Sequence, residues 1–386
     1  MSPRTAPAAI AALLALTLAG AESHASAASG PIRIGAVFSE TGGLASIRSP
    51  GLAGMRLAAA EINDRGGVLG RRVEIVAADS QSKPVATARA VARLITNEHV
   101  AALGGLNDST LALAAGRVAQ RAGVPFVASG ATLPSLPRRV GNELFMAAFG
   151  DDAQAYAVAA VARANLRARS VFLLVDRGSD FTRALARLFR QGFVARGGTI
   201  VGQIGYATGE RNFASKIGRI RAGLAPHEAL FFSALPSEAG RLVRQFRAAG
   251  LTQPILSGDG FDTPLVGRIA GTLADNVYYS THVALGSKAP RVRRFVAAYE
   301  RRYGRRPENA FAALGYDTMR LLADAVRRAH STEPGAIRDA LAATRGFAMV
   351  TGTISYAPGR RIPQKPVTII RVENGRSAFY RTVAPR

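Results

Sequence analysis

The sequence of 386 residues contains no cysteine and no tryptophan. Without cysteine there is no disulfide bond, no thiolate metal ligand and no cysteine nucleophile. Aromatic residues make up only 7% of the chain, which argues against a broad stacking surface for sugars or single-stranded nucleic acid. Hydrophobic residues still reach 48%, so the chain is long and apolar enough to form a substantial globular core.

Acidic residues are scarce: 26 of them face 50 lysines and arginines, giving a formal net charge of +24. Such a charge first suggests nucleic-acid binding. The basic residues, however, occur mostly as isolated pairs without interleaved aromatics, for example Arg71-Arg72, Arg138-Arg139, Arg327-Arg328 and Arg360-Arg361. We therefore interpret the charge as a solvated basic surface and expect no nucleic-acid partner.

The usual signatures of catalysis are also missing. The sequence contains no Gly-x-Ser-x-Gly, no Walker motif, no Gly-x-Gly-x-x-Gly and no His-Glu-x-x-His, and His227-Glu228 lacks the second histidine of a zinc motif. The five histidines are scattered along the chain. We expect no enzyme, no metal site and no cofactor, with an enzyme of unfamiliar type as the alternative.

The N-terminus has the pattern of an export signal. Arg4 precedes an apolar run from Ala8 to Leu18, which is too short to span a bilayer. Small residues at Ala25 and Ala27 suit a cleavage site between Ala25 and Ser29. Residues 1–28 are thus predicted to be a signal peptide and the mature protein to be periplasmic. An uncleaved membrane anchor is the alternative, and a lipid anchor would need a cysteine.

Strand-like and helix-like segments alternate beyond the signal, which predicts parallel sheets covered by helices. The first series has strands at 32–38, 73–78, 101–103 and 125–128 and helices at 51–65, 84–97 and 110–122. The second has helices at 152–165, 181–195, 213–222 and 237–249 and strands at 170–175, 199–206, 229–233 and 254–257. The remainder reads as strands at 276–281, 352–356 and 367–372 and helices at 290–303, 309–330 and 333–343. The fold class is α/β, with two similar lobes.

Three loops follow predicted strands, where open parallel sheets bind their ligands. Loop 104–110 leads into a helix whose free N–H groups suit a carboxylate, with Ser109 able to add its hydroxyl. Asp108 or Ser109 could instead only cap that helix, which is the commoner role. Loop 129–132 would face it. Loop 257–260 holds Asp259 between two glycines, where it could pair with an ammonium group or be a plain turn.

The chain resembles the periplasmic leucine/isoleucine/valine-binding family over nearly its whole mature length. The strongest match is Ile-Asn-x-x-Gly-Gly-x-x-Gly at residues 62–70. Further matches, in the same order as in that family, are residues 32–35, 73–79, 122–132, 240–250 and 257–260. The resemblance implies a type I periplasmic binding protein fold, in which two parallel-sheet βα sandwiches are joined by a three-strand hinge. We place the crossings near 149–151, 278–283 and 354–363.

The resemblance also implies roles for individual residues. Hydroxyls at Ser109 and Thr132 would hold a ligand carboxylate, and the Gly130 carbonyl and the Asp259 carboxylate would receive an ammonium group. Phe181 would cover the ligand, whereas Ile47 and Leu235 stand at two positions where tyrosine is common in the family. With Asp108 of the first loop, these are the candidate ligand-binding residues. Because of these two departures, an amide, urea or aromatic acid is the alternative ligand.

Domain boundaries and partners follow from the same resemblance. Residues 29–150 with 280–355 would form the first lobe, and residues 151–279 with 356–386 the second. The protein would be a monomer that captures an amino acid or similar small carboxylate and delivers it to an ABC transporter permease in the inner membrane. The alternatives are an amide, urea or aromatic acid as ligand, or a sensor without a role in transport.

Overall fold

The computed structural model describes Met1 and residues 30–44, 50–223 and 228–385. The predicted cleavage region and all but Met1 of the predicted signal peptide lie outside the described residues. Within the described ranges, no helix is both long and apolar enough to cross a membrane.

The first lobe is built on a five-stranded sheet in which every pairing is parallel. Its strand order is β2-β1-β3-β4-β5, and the strands are β1 (Ile32–Phe38), β2 (Val73–Asp79), β3 (Ala102–Gly105), β4 (Phe126–Ala128) and β5 (Leu144–Met146). The helices that connect or cover it are α1 (Pro50–Asn63), α2 (Pro84–Thr96), α3 (Ser109–Ala122) and α4 (Leu136–Val140).

The second lobe is built on a seven-stranded sheet of order β14-β13-β10-β9-β8-β6-β7. Its strands are β6 (Ser170–Asp176), β7 (Thr199–Tyr206), β8 (Ala229–Ser233), β9 (Ile255–Ser257), β10 (Val277–Thr281), β13 (Val367–Glu373) and β14 (Arg376–Val383). Its helices are α5 (Asp151–Ala164), α6 (Asp180–Val194), α7 (Ala214–Arg221), α8 (Pro236–Ala248) and α9 (Leu265–Ala270). Strand β13 runs antiparallel to both of its neighbours, β10 and β14, so this sheet is mixed.

The chain returns to the first lobe between β10 and β13. There it forms α10 (Pro290–Tyr303), α11 (Ala310–Ala329) and α12 (Pro334–Ala342), followed by the small hairpin β11 (Phe347–Met349) and β12 (Gly352–Ile354). Residues of α10, α11 and α12 share one apolar core with β1 and α1. The chain therefore passes between the lobes in three segments, residues 147–150, 282–289 and 355–366.

The structure confirms the predicted fold class of two parallel-sheet α/β lobes joined by three crossings. The first and third crossing segments contact each other, because Lys365 Nζ donates to Ala147 O at 2.9 Å, and the Tyr356 hydroxyl of the third donates to Met146 O at the end of β5 at 2.8 Å. Strands β1 to β5 and helices α10 to α12 belong to the same lobe, as expected. The residue boundaries between the lobes stay a prediction.

Helices α1 and α11 approach each other more closely than side chains would allow. A Cβ atom placed on Gly54 would lie 1.9 Å from Ala312 O, and one placed on Gly315 would lie 2.0 Å from Gly51 O. Because the obstructing atoms belong to the backbone, they cannot rotate away as a side chain could. The contact between these helices thus depends on glycine at Gly54 and Gly315.

Candidate functional site

A cavity of about 80 Å³ lies between the carboxyl ends of the strands of the two lobes. Loops after β1 and β3 and the start of α11 contribute from the first lobe, and the segments after β8 and β9 contribute from the second. The lining is mostly apolar, with a few polar side chains, as is usual for small-molecule sites. The lining residues are Phe38, Ser39, Leu44, Pro50, Asn107, Asp108, Thr132, Phe181, Leu235, Pro236, Asp259, Gly260 and Phe311.

Five of the eight residues predicted from the sequence line this cavity: Asp108, Thr132, Phe181, Leu235 and Asp259. They come from both lobes, as an interlobe binding site requires. Their roles toward a ligand remain a prediction, because placement alone does not show binding.

Ser109, Gly130 and Ile47 are placed differently. Ser109 is 1% exposed and does not line the cavity; its hydroxyl accepts a hydrogen bond of 3.2 Å from Leu133 N–H. Gly130 also lies behind the lining, and a Cβ atom there would be 2.7 Å from Asn107 Oδ1. Ile47 falls in residues 45–49, outside the described residues. The Ser109 hydroxyl therefore holds the loop that follows β4 in place. From the sequence, this hydroxyl was expected to contact a ligand.

Asp108 is the N-cap of α3, which is the plainer of the two roles considered for it. Its Oδ1 accepts from Thr110 N–H and Leu111 N–H, each at 2.9 Å. The Asp108 side chain thus binds two of the helix N–H groups that, from the sequence, were expected to bind a ligand carboxylate. Burial raises the pKa of the Asp108 carboxyl, these N–H groups oppose that rise, and the charges of Asp180 and Asp176 add to it.

Removing this cap should lower stability measurably. We expect Asp108→Ala to reduce the free energy of unfolding by about 1 kcal/mol, the usual cost of losing an N-cap acceptor. Asp108→Asn keeps an oxygen at the same place, so its loss should be only a few tenths of a kcal/mol. Urea denaturation of the ligand-free proteins measures both. Equal losses for the two variants would show that charge, and not the cap, governs this position.

Asp259 is held in the cavity wall by two neutral side chains. Gln154 Nε2 donates to Asp259 Oδ1 at 3.1 Å, and His282 Nε2 lies 3.1 Å from Asp259 Oδ2. Gln154 also accepts from Asp259 N–H at 2.9 Å through its Oε1, so it holds both the backbone and the side chain of the acid. All three side chains are buried, Asp259 being 2% exposed.

The charge state of this group follows from burial. Burial lowers the pKa of His282 and so favours the neutral imidazole, although the hydrogen bond and charge of Asp259 oppose this. Burial raises the pKa of nearby Asp151 well above its ordinary value, and the charge of Asp259 raises it further. Neither hydrogen-bonding partner of Asp259 is therefore cationic, and its carboxylate faces the cavity with its charge uncompensated by them.

The two lobes meet beside the cavity. Arg139 Nη1 of the first lobe lies 3.2 Å from Asp180 Oδ2 of the second, and Asp180 also pairs with Arg183 on its own helix. Ala184 of α6 packs into the core that α3 and β4 share. The two lobes are therefore in direct contact on this side of the cleft.

Sequence reasoning missed several lining residues and both partners of Asp259. Asn107 lies in a loop already singled out, and its Oδ1 is buried without a hydrogen-bond partner among the described residues. Phe38 is the last residue of the predicted strand 32–38. Because ligands bind at the carboxyl ends of such strands, its position could have identified it as a lining residue. Phe311 and His282 reach the site from late in the chain, and no local pattern marks them. In the described ranges, no group of three or more potential metal ligands occurs.

Comparison with known proteins gives consistent relatives. A family model described as periplasmic binding protein matches residues 31–377. The Leu/Ile/Val-binding protein homolog 3 of Brucella melitensis is 25% identical over 365 residues, covering 94% of this chain and 97% of that protein. Two solved structures from bacterial transporters extend the comparison.

The first is the branched-chain amino acid transporter substrate binding protein LivJ from Streptococcus pneumoniae in complex with isoleucine. It is 30% identical, with a TM-score of 0.86, and covers 92% of this chain and 100% of that one. The second is a solute binding protein from Rhodopseudomonas palustris in complex with 3,4-dihydroxybenzoic acid, 23% identical with a TM-score of 0.82 over 92% and 98% of the two chains. At that identity the second shows likeness of fold alone.

Proposed function

The chain belongs to the periplasmic binding protein family, and from this membership and the geometry of its cavity we propose that it captures an amino acid in the periplasm for an inner-membrane ABC transporter. Its relatives are solute-binding proteins, which agrees with a role in binding and not in catalysis. We further propose that it acts as a monomer, with the permease as its protein partner.

The buried carboxylate of Asp259 is the observation that carries this proposal. A buried carboxylate in a mostly apolar cavity wall is costly unless it meets a positive charge. Gln154 and His282 supply hydrogen bonds but no charge. An ammonium group of the ligand would supply it, and a charge-assisted hydrogen bond there would be stronger than a neutral one.

Neutral donors in the lining suit a carboxylate of the ligand. The Asn107 side-chain amide has N–H groups to donate at the lining, and the Thr132 hydroxyl lies there too, where its interaction with the Asp151 carboxyl opposes the rise in the pKa of that group. Because burial raises the pKa of Asp108, that residue takes up a proton more readily than an ordinary aspartate, which weakens its repulsion of a ligand carboxylate. The apolar wall, including Phe181, Leu235 and Phe311, suits the remainder of the ligand.

Calorimetry of the purified protein tests the proposal directly. The panel contains the standard amino acids, the analogues of leucine, isoleucine and valine that lack the α-amino group, urea, acetamide and benzoate. We expect at least one amino acid to bind about 30-fold or more tightly than its deaminated analogue, because only the amino acid neutralises Asp259. Equal or tighter binding of the analogue, benzoate, acetamide or urea would overturn the proposal in favour of the alternative ligand classes.

A further inference from the structure

We propose that His282 is a positioning residue for ligand binding, one that fixes the direction of the Asp259 carboxylate through its Nε2–H. This inference rests on the proposed function, since it concerns how Asp259 meets an ammonium group. His282 itself does not line the cavity. Its effect on the ligand therefore passes through Asp259.

The position of His282 in the fold suits this role. It lies in the crossing segment after β10, and its ring stacks on Phe149 of another crossing segment with centroids 4.1 Å apart and planes inclined by 29°. Its second ring neighbour is Phe311 of α11, at 5.9 Å in an edge-on arrangement. Phe311 lines the cavity from the first lobe, so the imidazole is held between both lobes and two of the crossings.

The hydrogen bonding of the ring assigns its protons. A neutral imidazole has one N–H, and Nε2 must carry it, because the atom 3.1 Å away is a carboxylate oxygen, which accepts only. Nδ1 is then an acceptor, and it is buried without a hydrogen-bond partner in the described part of the chain. A buried acceptor without a hydrogen bond lowers the stability of the fold. The ring is nevertheless held so that its Nε2–H points to Asp259.

Gln154 completes the arrangement from the other side of the acid. Its Nε2 donates both to Asp259 Oδ1 and, at 2.7 Å, to Asp151 Oδ1, while Ser280 Oγ donates to its Oε1 at 2.6 Å. Asp259 thus has one neutral donor on each oxygen. Such a pair fixes the direction of the carboxylate before the ligand arrives, and a fixed charge binds its partner without a further ordering cost.

Two substitutions at this position separate the N–H group from the ring. His282→Phe keeps an aromatic ring beside Phe149 but has no donor, whereas His282→Gln keeps a terminal N–H donor and loses the ring. We expect His282→Phe to weaken binding of the tightest amino acid of the panel, with L-leucine as the first probe, by about 10-fold, the value of a hydrogen bond to a charged group. His282→Gln should stay within about 3-fold of the wild type.

The deaminated analogue and a double variant make the test specific. Binding of 4-methylpentanoate, which has no ammonium group, should be equal in the wild type and His282→Phe. In an Asp259→Asn background, His282→Phe should cause no further loss of leucine affinity, because both changes act on one interaction. Thermal melting of each ligand-free variant verifies that it folds.

The opposite pattern would overturn the inference. If His282→Gln weakens leucine binding while His282→Phe does not, the ring packs the hinge and its N–H plays no part. Equal losses for leucine and 4-methylpentanoate would likewise indicate packing alone. If Asp259→Asn reduces amino-acid affinity and His282→Phe does not, the positioning role is wrong while the proposed function stands. If Asp259→Asn has no effect on any amino acid, the proposed function fails first.

Discussion

Asp259→Asn is expected to weaken amino-acid binding by about 30-fold or more, which corresponds to roughly 2–5 kcal/mol for losing one member of a buried charge pair. Asparagine has the same shape and keeps an oxygen that can accept from Gln154. The change therefore removes the charge with little change of volume. Calorimetry of the wild type and the variant against the tightest amino acid and its deaminated analogue measures the effect.

The same substitution should leave the melting temperature of the ligand-free protein nearly unchanged. In the variant, the imidazole of His282 can carry its proton on Nδ1 and accept from the asparagine amide through Nε2. Loss of the Asp259 charge also relieves its repulsion of Asp151, whose pKa that charge raises after the larger effect of burial. These two changes offset the loss of a charge-assisted hydrogen bond.

Asp64→Asn is the matched control for this experiment. Asp64 is exposed just after α1 and away from the cavity lining, and the substitution changes the net charge of the protein by the same amount. Its affinity for the amino acid should equal that of the wild type. Equal affinity of Asp259→Asn and Asp64→Asn for an amino acid would mean that Asp259 is only a turn residue. The deaminated analogue should bind Asp259→Asn at least as well as the wild type, since the repulsion between two carboxylates is gone.

Gly315→Ala should cause the largest loss of stability, with a fall in the free energy of unfolding of roughly 2–3 kcal/mol. The new methyl group would lie 2.0 Å from the carbonyl oxygen of Gly51, so α1 and α11 must separate along their contact. These helices carry much of the first-lobe core, including Met55 and Leu322. Urea denaturation with a two-state fit of the first unfolding transition measures the loss.

Gly218→Ala provides the control in another helix. Gly218 lies in the exposed face of α7, and a Cβ atom there meets no heavy atom within 4 Å. Because alanine has the better helix propensity, this substitution should raise stability by about 0.5–1 kcal/mol. We explain the need for glycine at Gly315 by the close contact between the helices and not by backbone entropy. Similar effects of the two substitutions on stability would contradict this explanation.

The sequence by itself determined the alternation of strands and helices in two similar lobes, because its signals are local, whereas the three crossings were implied by the family resemblance. Buried parallel strands need short apolar runs and the covering helices need one apolar face, so each element can be recognised from its own residues. Helix α10 occupies 290–303 as predicted, and β7 and β8 also have the predicted bounds. Strands β5, β11 and β14 were missed: β5 and β11 are only three residues long, and β14 is an edge strand without a buried residue, so its apolar pattern is weak.

The loops of the site were also visible in the sequence, because ligands bind at the carboxyl ends of parallel strands. Asp108, Thr132, Phe181, Leu235 and Asp259 were found in this way or through the family resemblance, and all five reach the cavity. Position in a loop, however, does not fix where a side chain points. That depends on hydrogen bonds with other parts of the chain.

Only the tertiary structure decided which groups remain available to a ligand. The Ser109 oxygen accepts from Leu133 N–H, 24 residues later, which leaves its O–H to donate, and Asp108 accepts from two of the first N–H groups of α3. Asp259 meets Gln154, 105 residues before it, and His282, 23 residues after it. Such partners leave no periodic pattern in a sequence, because long-range hydrogen bonds arise only when the two lobes and their crossings pack together and exclude water.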